Sequence, residues 1–209
     1  MKPDRKVHWE DVYSGKAAHE VSWYQERPDL SLSLIANSGL DPSAAIIDIG
    51  AGASLLVDRL LDLDYQDITV LDISHTALAQ VSKRLEERSS KVALIEADVM
   101  RFVPDRQFEL WHDRAAFHFL TKPRDRRRYI EALHLALARG GTLVIATFAP
   151  GGPAKCSGLD IVQYDAARLI SELGEEFILE EQHSEVHMTP ANGKQLFNFF
   201  RFKRTKSTL

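Results

Sequence analysis

The sequence contains a single cysteine, Cys156, and no apolar run of membrane-spanning length. One cysteine excludes an internal disulfide framework and suits a reducing compartment. The lack of a long apolar run argues against a transmembrane helix, and residues 1–5 lack the apolar core of a signal peptide. We therefore expect a soluble, cytoplasmic protein without a membrane partner.

An excess of positive charge is also missing. The chain has 26 Lys and Arg against 30 Asp and Glu, which gives a formal net charge of −4 at pH 7. This balance provides no general attraction to nucleic acid or to anionic membranes. The sequence has no internal repeat, and its 209 residues with 44% hydrophobic content can bury one α/β core. It therefore predicts one domain over residues 1–209 and no nucleic-acid partner.

What the sequence does contain is an apolar strand that runs into a glycine-containing turn. Residues 45–49 are typical of a buried parallel strand. Gly50, Ala51 and Gly52 follow as a tight turn whose backbone can closely approach a ligand. Twenty positions after Gly52, Asp72 ends a second apolar strand, where a carboxylate can accept hydrogen bonds from both ribose hydroxyls. The pattern predicts an adenosine-containing cofactor.

Two cofactors of this kind use the same geometry, a dinucleotide and S-adenosylmethionine. The dinucleotide pattern requires a third glycine, and Leu55 stands at that position. Asp48, two residues before the first glycine, would repel a pyrophosphate but can face a cationic sulfonium. These two residues favour S-adenosylmethionine, and an NAD-dependent reductase remains the enzymatic alternative.

The rest of the chain alternates between strand and helix patterns. Apolar runs predict further strands at 68–72, 92–95, 108–111 and 142–148. Helical spacing of apolar residues predicts a helix that starts at Pro28, one that contains Leu55, Leu56, Leu60 and Leu61, one after Pro123 and one at 164–173. Ser74 can cap a further helix that follows it. Two strand-like runs, 177–188 and 196–203, predict a final antiparallel pair. This alternation predicts an α/β fold with a doubly wound sheet and helices on both faces.

With these signals in this order, nearly the whole chain resembles the class I S-adenosylmethionine-dependent methyltransferases. The resemblance rests on residues 48–52, Asp72 and Asp98. It implies a seven-stranded, mostly parallel sheet of order 3-2-1-4-5-7-6 whose last strand is antiparallel. It also implies that the glycine turn holds the methionine portion, Asp72 the ribose and Asp98 the adenine. Ile73 and Val99, the next residues along the chain, complete this part of the predicted cofactor site.

Candidate catalytic residues follow the fourth strand, where an open α/β sheet presents side chains to its ligand. Asp113 can orient or deprotonate an acceptor, and Arg114 can bind a carboxylate of the cofactor or the acceptor. His118 can act as a general base. Each has a structural alternative: a local ion pair for Asp113 and Arg114, and packing for His118. We expect His112 to be structural.

The Asp-Arg-x-Ala pattern and the N-terminal aromatic residues are similar to the thiopurine-methyltransferase-like branch of the family. That resemblance implies that residues 1–27 form a lid, that Trp9, Tyr13 and Trp23 cover the cofactor, and that Arg114 lies beside the acceptor. The aromatic layout also resembles small protein-lysine methyltransferases. In the alternative structural interpretation, the tryptophans only anchor an N-terminal helix to the core.

The leading hypothesis is an enzyme that transfers a methyl group by in-line displacement to a small molecule with a sulfur, nitrogen or carboxylate nucleophile. A protein-lysine methyltransferase with one specific partner is the second hypothesis, and a cofactor-binding protein without activity is the third. His183, Glu185 and His187 alternate along a predicted strand and can in principle bind zinc. A solvated strand face is the preferred interpretation, and we predict no metal because sulfonium methyl transfer needs none.

Overall fold

The computed structural model describes residues 4–205, so both ends of the predicted domain lie outside the described part. Strands and helices alternate as the sequence predicts. In chain order the elements are α1 (Arg5–Gly15), α2 (Asp29–Ala36), β1 (Ala45–Ile49), α3 (Leu56–Asp62), β2 (Asp67–Asp72), α4 (His75–Leu85), β3 (Val92–Glu96), β4 (Phe108–Arg114), α5 (Pro123–Ala136), β5 (Leu137–Phe148), β6 (Lys155–Cys156), β7 (Leu159–Asp160), α6 (Ala166–Leu173), β8 (Phe177–Met188) and β9 (Lys194–Arg204).

The main sheet has seven strands in the order β3-β2-β1-β4-β5-β9-β8. Strands β1 to β5 are parallel to one another, whereas β9 is antiparallel to both of its neighbours, β5 and β8. The predicted fold class is therefore confirmed, together with the order of the strands and the reversed last strand. Since all the parallel strands point the same way, the loops that follow them meet at one edge of the sheet.

Side-chain caps fix where several helices begin. The Asp4 carboxylate accepts hydrogen bonds from the amides of Lys6 and Val7 and starts α1. The Ser74 hydroxyl accepts from the Ala77 amide at 3.1 Å, as its predicted capping role requires. No helix within residues 4–205 is both long and apolar enough to cross a bilayer.

The two faces of the sheet are covered by different helices. Ile46 and Leu110 belong to the core cluster packed under α2, α3 and α4. Ile47 and Trp111, the next residues along the same strands, belong to the cluster packed under α5 and α6. Because successive side chains of a strand point to opposite faces, each one-step shift along β1 or β4 changes which set of helices a residue meets.

The structure differs from the expected elements at two places around β5. The sequence predicts Leu137 on the apolar face of α5, but α5 ends at Ala136 and Leu137 begins β5 in an extended conformation. Leu137 pairs with Phe108, and the ladder shifts register before Leu110. The segment after β5, whose Gly and Pro content is typical of a surface loop, also contains the short antiparallel pair β6–β7. The apolar periodicity of α5 continues into a buried strand, which is why the pattern places the helix end too late.

Candidate functional site

A pocket lies at the carboxyl edge of the sheet, beneath α1. The side chains or backbone that line it include Trp9, Tyr13, Trp23, Gln25, Asp48, Gly50, Ala51, Asp72, Ile73, Asp98, Val99, His112, Arg114, Phe119 and Cys156. The structure thus brings most of the predicted site residues to one place. The predicted residues that do not line the pocket are Gly52, Asp113 and His118.

The glycine turn is held tightly from two sides. Gly50 and Gly52 have φ values of +58° and +55°, a left-handed conformation that glycine adopts without strain. A Cβ on Gly50 would lie 2.6 Å from the Cβ of Ala116, and a Cβ on Gly52 would lie 1.9 Å from the hydroxyl of Tyr13. Gly52 therefore leaves room for Tyr13, which explains why Gly52 itself is covered.

Asp72 ends β2 and fastens the glycine turn to the sheet. Its carboxylate accepts from the Gly52 amide at 2.7 Å and from the Ser74 amide at 2.8 Å. Burial raises the pKa of Asp72 to about 6, although both amide bonds favour its ionised form. Each carboxylate oxygen keeps a further lone pair for a donor in the pocket.

Asp98 follows β3 and marks the neighbouring part of the pocket. Its side chain accepts from the Met100 amide at 3.0 Å and caps the short helical turn Val99–Arg101. Asp72 and Asp98 follow adjacent strands, because β2 pairs in parallel with β3. The two carboxylates therefore lie along one wall, in the order that the sequence predicts.

Asp48 forms a buried hydrogen-bonded chain that the sequence did not reveal. Its carboxylate lies 2.7 Å from Nδ1 of His112, and Nε2 of His112 lies 2.9 Å from the hydroxyl of Ser31 on α2. Asp48 and His112 are register partners on β1 and β4, so their side chains share a face of the sheet. His112 is thus a pocket residue, whereas the sequence favoured a purely structural one.

Arg114 lies two residues beyond His112 and points to the same side. Its Nη1 donates to the Trp23 carbonyl at 2.8 Å, and the guanidinium lies 5.1 Å from the centre of the Phe197 ring. Its Nε and Nη2 are buried and have no hydrogen-bond partner among residues 4–205. Burial lowers the pKa of Arg114 to about 10, so the group still carries a positive charge at neutral pH.

Asp113 lies on the opposite face of β4, away from the pocket. Its carboxylate accepts from the Tyr129 hydroxyl at 2.6 Å and from the amides of Ala116 and Phe117 at 2.8 and 3.0 Å. Burial raises its pKa to about 6. Asp113 therefore does not line the pocket from which an acceptor would be reached, because adjacent residues of a strand face opposite sides. The expected local ion pair with Arg114 is also not formed.

His118 is likewise buried outside the pocket. Its Nδ1 accepts a hydrogen bond from the Phe148 amide at 3.3 Å, and its ring packs against Phe148 and Phe119. Burial, reinforced by the charge of Arg114, lowers the pKa of His118 to about 3. The imidazole is therefore a poor proton acceptor, and the structure agrees with the packing alternative for this residue.

Helix α1 covers the pocket through an aromatic cluster. The rings of Trp9 and Phe119 have centroids 5.1 Å apart, and those of Trp9 and Trp23 lie 5.7 Å apart. Glu10 holds the helix in place by accepting from the amides of His75 and Thr76 at the start of α4. Burial opposes ionisation of Glu10, but the hydrogen bonds from α4 prevail and lower its pKa to about 2.

The alternating residues of β8 have different partners and do not converge on a common point. Nε2 of His187 lies 2.8 Å from the Ser22 carbonyl, and Glu185 accepts from Gln25 at 3.0 Å. His183 pairs with Glu181 instead. No group of three or more His, Cys, Asp or Glu side chains within residues 4–205 is arranged to hold a metal ion.

The pocket suits S-adenosylmethionine in shape and in charge. Gly50 lines the pocket without a side chain, so its backbone is open to a ligand. Three carboxylates (Asp48, Asp72 and Asp98) and the aromatic rings above them favour a cationic, hydroxyl-bearing ligand.

Comparison with known proteins agrees with this geometry. Residues 46–141 match the family described as a methyltransferase domain. Over 108 residues the chain is 26% identical to the eEF1A lysine and N-terminal methyltransferase of Bos taurus, an alignment that covers 51% of this chain and 15% of that protein. The chain therefore spans only a small part of the length of this curated relative.

Two solved structures share the fold. One comes from work on the conversion of a disulfide bond into a thioacetal group during echinomycin biosynthesis; its TM-score is 0.77 at 17% identity, with 98% of this chain and 93% of that chain covered. The other is the N-methyltransferase NodS from Bradyrhizobium japonicum in complex with S-adenosyl-l-homocysteine, with a TM-score of 0.72, 17% identity and coverage of 94% and 98%.

Proposed function

We propose that this chain, which is an S-adenosylmethionine-dependent methyltransferase by its domain and its fold, methylates a small molecule that carries an anionic group. The observation behind this proposal is Arg114, a buried cation in the pocket with two unpartnered donors. A buried, unpaired charge is costly, and a carboxylate from a ligand would compensate it with charge-assisted hydrogen bonds.

In this proposal the cofactor is held by the residues that the sequence singles out. S-adenosylmethionine, when bound, supplies an electrophilic methyl group on a sulfonium. The residues that would hold it are Asp48, Gly50, Ala51, Asp72, Ile73, Asp98 and Val99. Gly52 would act through Asp72, whose carboxylate accepts from the Gly52 amide. His112 would keep the Asp48 carboxylate in place from the side of α2.

The N-terminal segment, residues 1–27, would act as the lid. Trp9, Tyr13 and Trp23 line the pocket from above and would keep water away from it. A dry pocket preserves the lone pair of the acceptor and strengthens the attraction of Arg114 for an anion. Holding the acceptor in line with the methyl group then lowers the activation barrier, by on the order of 7–11 kcal/mol at best.

The candidate bases of the sequence have a different role in this proposal. Asp113 would be a positioning residue: its hydrogen bonds to Ala116 and Phe117 fix the turn after β4 and so the backbone beside Arg114. His118 would stay neutral inside the core. Acceptors whose nucleophile already has a free lone pair, such as a sulfur, nitrogen or carboxylate group, therefore fit the pocket best.

A protein-lysine acceptor is the second candidate, and the similarity to the eEF1A lysine and N-terminal methyltransferase favours it. Against it, the charge of Arg114 would repel the ammonium of a lysine, and the aromatic cover restricts the entry of a polypeptide.

The two candidates can be separated by following labelled methyl groups from S-adenosylmethionine into small carboxylate-bearing thiols and amines and into the proteins of a cell extract. We expect label in the small molecules, and we expect Arg114→Gln to raise the KM for them about 10- to 100-fold. Arg124→Gln, at an exposed position of α5, serves as the matched control. If the label appeared only in protein and Arg114→Gln did not change its amount, the protein-lysine acceptor would be favoured.

A further inference from the structure

A second polar side chain in the pocket, Gln25, has an unfilled hydrogen-bonding position. Its Nε2 donates to Oε1 of Glu185 on β8 at 3.0 Å. Its Oε1 is buried and has no partner among residues 4–205. Leaving a buried amide oxygen without a donor costs free energy, so a ligand that supplies an N–H or O–H donor would be favoured here.

Glu185 determines which end of the Gln25 amide remains free. An ionised carboxylate only accepts hydrogen bonds, so the amide must turn its NH₂ group towards Glu185. The oxygen is then the end of the amide that has no donor among residues 4–205, on a side chain that lines the pocket. The usual ambiguity between the nitrogen and oxygen of a glutamine side chain is therefore resolved by the chemistry of its partner.

Gln25 and Arg114 are fixed on the same local framework. Arg114 donates to the carbonyl of Trp23, two residues before Gln25. Arg114 also stacks on Phe197, and Phe197 is the register partner of Glu185 across the β8–β9 pair. The charges of Glu185 and Arg114 influence each other, yet the two side chains form no salt bridge within the described chain. The pocket thus offers free donors at one residue and a free acceptor at the other.

We propose that Arg114 and Gln25 together bind acceptors that carry both an anionic group and a neutral N–H group, such as aminoaryl carboxylates. This inference rests on the proposed function and adds the substrate class to it. The anionic group meets Arg114, and the N–H group donates to Oε1 of Gln25. Glu185 is a positioning residue, because it acts only by orienting the Gln25 amide.

The experiment is a calorimetric titration of the full chain, saturated with S-adenosylhomocysteine, with five probes. The three aminobenzoate isomers hold a carboxylate and an amino group at increasing separations, while benzoate and aniline each lack one of the two groups. We expect at least one isomer to bind about tenfold more tightly than benzoate, as one satisfied buried hydrogen bond predicts, and more tightly still than aniline.

Variants then assign the preference to its residues. Gln25→Ala should abolish the advantage of the aminobenzoate over benzoate and leave benzoate binding unchanged. Glu185→Gln should reduce the same advantage, because its amide allows Gln25 to turn over, without affecting S-adenosylhomocysteine. Gln182→Ala, an exposed glutamine of β8, is the control and should keep the wild-type ratio.

The outcomes separate this inference from the proposed function. If benzoate binds in an Arg114-dependent way but no isomer binds better, or if Gln25→Ala keeps the preference, the inference is wrong and the proposed function stands. If neither benzoate nor any isomer binds while S-adenosylhomocysteine does, both the inference and the small anionic acceptor are wrong.

Discussion

At the scale of single residues, the end of β4 divides its side chains between the pocket and the core. His112 and Arg114 face the pocket, whereas Asp113 between them reaches Tyr129 beneath the opposite face. The Tyr129 hydroxyl also accepts from the indole of Trp111 at 2.8 Å, so Asp113 belongs to a buried network that holds α5 to the sheet. Three consecutive polar residues thus serve two purposes because a strand alternates its faces.

Gly52 provides a first prediction at this scale. An alanine at position 52 would be strained by the positive φ, and its methyl group would also displace Tyr13. Gly52→Ala should therefore lower the free energy of unfolding by about 1–3 kcal/mol more than the backbone strain alone would. Urea denaturation of both proteins measures the difference. Gly39→Ala is the matched control: Gly39 also has a positive φ, +66°, but a Cβ there would meet no atom within 4 Å. Equal losses in the two variants would contradict the contact with Tyr13.

Asp72 provides a second prediction, on pH. Its raised pKa of about 6 means that the carboxylate is largely protonated below that pH and ionised above it. Ribose hydroxyls donate best to the ionised form, so binding of S-adenosylhomocysteine should strengthen as the pH rises towards 6 and then level off above about 7. Calorimetric titrations between pH 5 and 8 test this.

The variant Asp72→Asn supplies the control for that titration, because it cannot ionise. Its affinity should be lower than that of the wild type at pH 7.5 and should lack the rise between pH 5 and 7. If the variant and the wild type share the same pH profile, another group causes the dependence and the assignment of Asp72 to the ribose loses its support.

At the scale of elements, α1 is attached to the sheet edge by polar contacts as well as by the packing of Trp9 and Tyr13. Glu10 accepts from the first amides of α4, and the Gln80 side chain donates to the Tyr13 carbonyl at 2.8 Å. Arg5 pairs with Asp125 of α5 at 2.6 Å. No residue of α1 belongs to the two main core clusters of the described chain, so opening of this helix would leave those clusters intact, as the proposed lid requires.

Removing the charge of Glu10 should therefore loosen this lid. Glu10→Gln weakens the cap on α4, and caps of this kind are worth about 0.5–2 kcal/mol. We expect the dissociation rate of S-adenosylhomocysteine to rise about 2- to 30-fold, measured by stopped-flow fluorescence of Trp9 and Trp23. Asp11→Asn, at an exposed position of the same helix, should leave the rate unchanged. An unchanged rate in Glu10→Gln would argue that the helix is a fixed anchor.

At the scale of the whole molecule, ligand binding and global stability are linked. The pocket draws its walls from α1, from the ends of β1 to β4 and from the segment after β5, so a ligand in it joins distant parts of the chain. Any ligand that binds only the folded state raises the free energy of unfolding by mass action.

We expect S-adenosylhomocysteine at about one hundred times its dissociation constant to stabilise the chain by about 2.7 kcal/mol. For a protein of this size, that corresponds to an increase in Tm of about 5–10 °C. NAD(H) at the same concentration should give no increase, because Leu55 replaces the third glycine of the dinucleotide turn. Thermal scans with each ligand separately measure the increase in Tm. An increase with NAD(H) alone would contradict S-adenosylmethionine as the cofactor.

The sequence by itself determined the order of strands and helices and the position of the cofactor edge. Residues 177–188 form a strand with the predicted ends, and Asp72 ends β2 while Asp98 follows the neighbouring strand β3. These features are local: apolar periodicity, glycine turns and capping residues act over a few positions of the chain. They hold because the succession of elements along the chain and the chemistry of the turns do not depend on distant contacts.

Only the tertiary structure decided which side chains share the pocket. Nothing local to His112 shows that it meets Asp48, and Gln25 and Glu185 lie 160 positions apart in the sequence. The alternation along β4 indicates that Asp113 and Arg114 face opposite sides, but the packing of α5 on one face and of the N-terminal segment on the other decides which of them is buried in the core. Such contacts depend on register between strands and on how helices pack, and both are properties of the assembled fold.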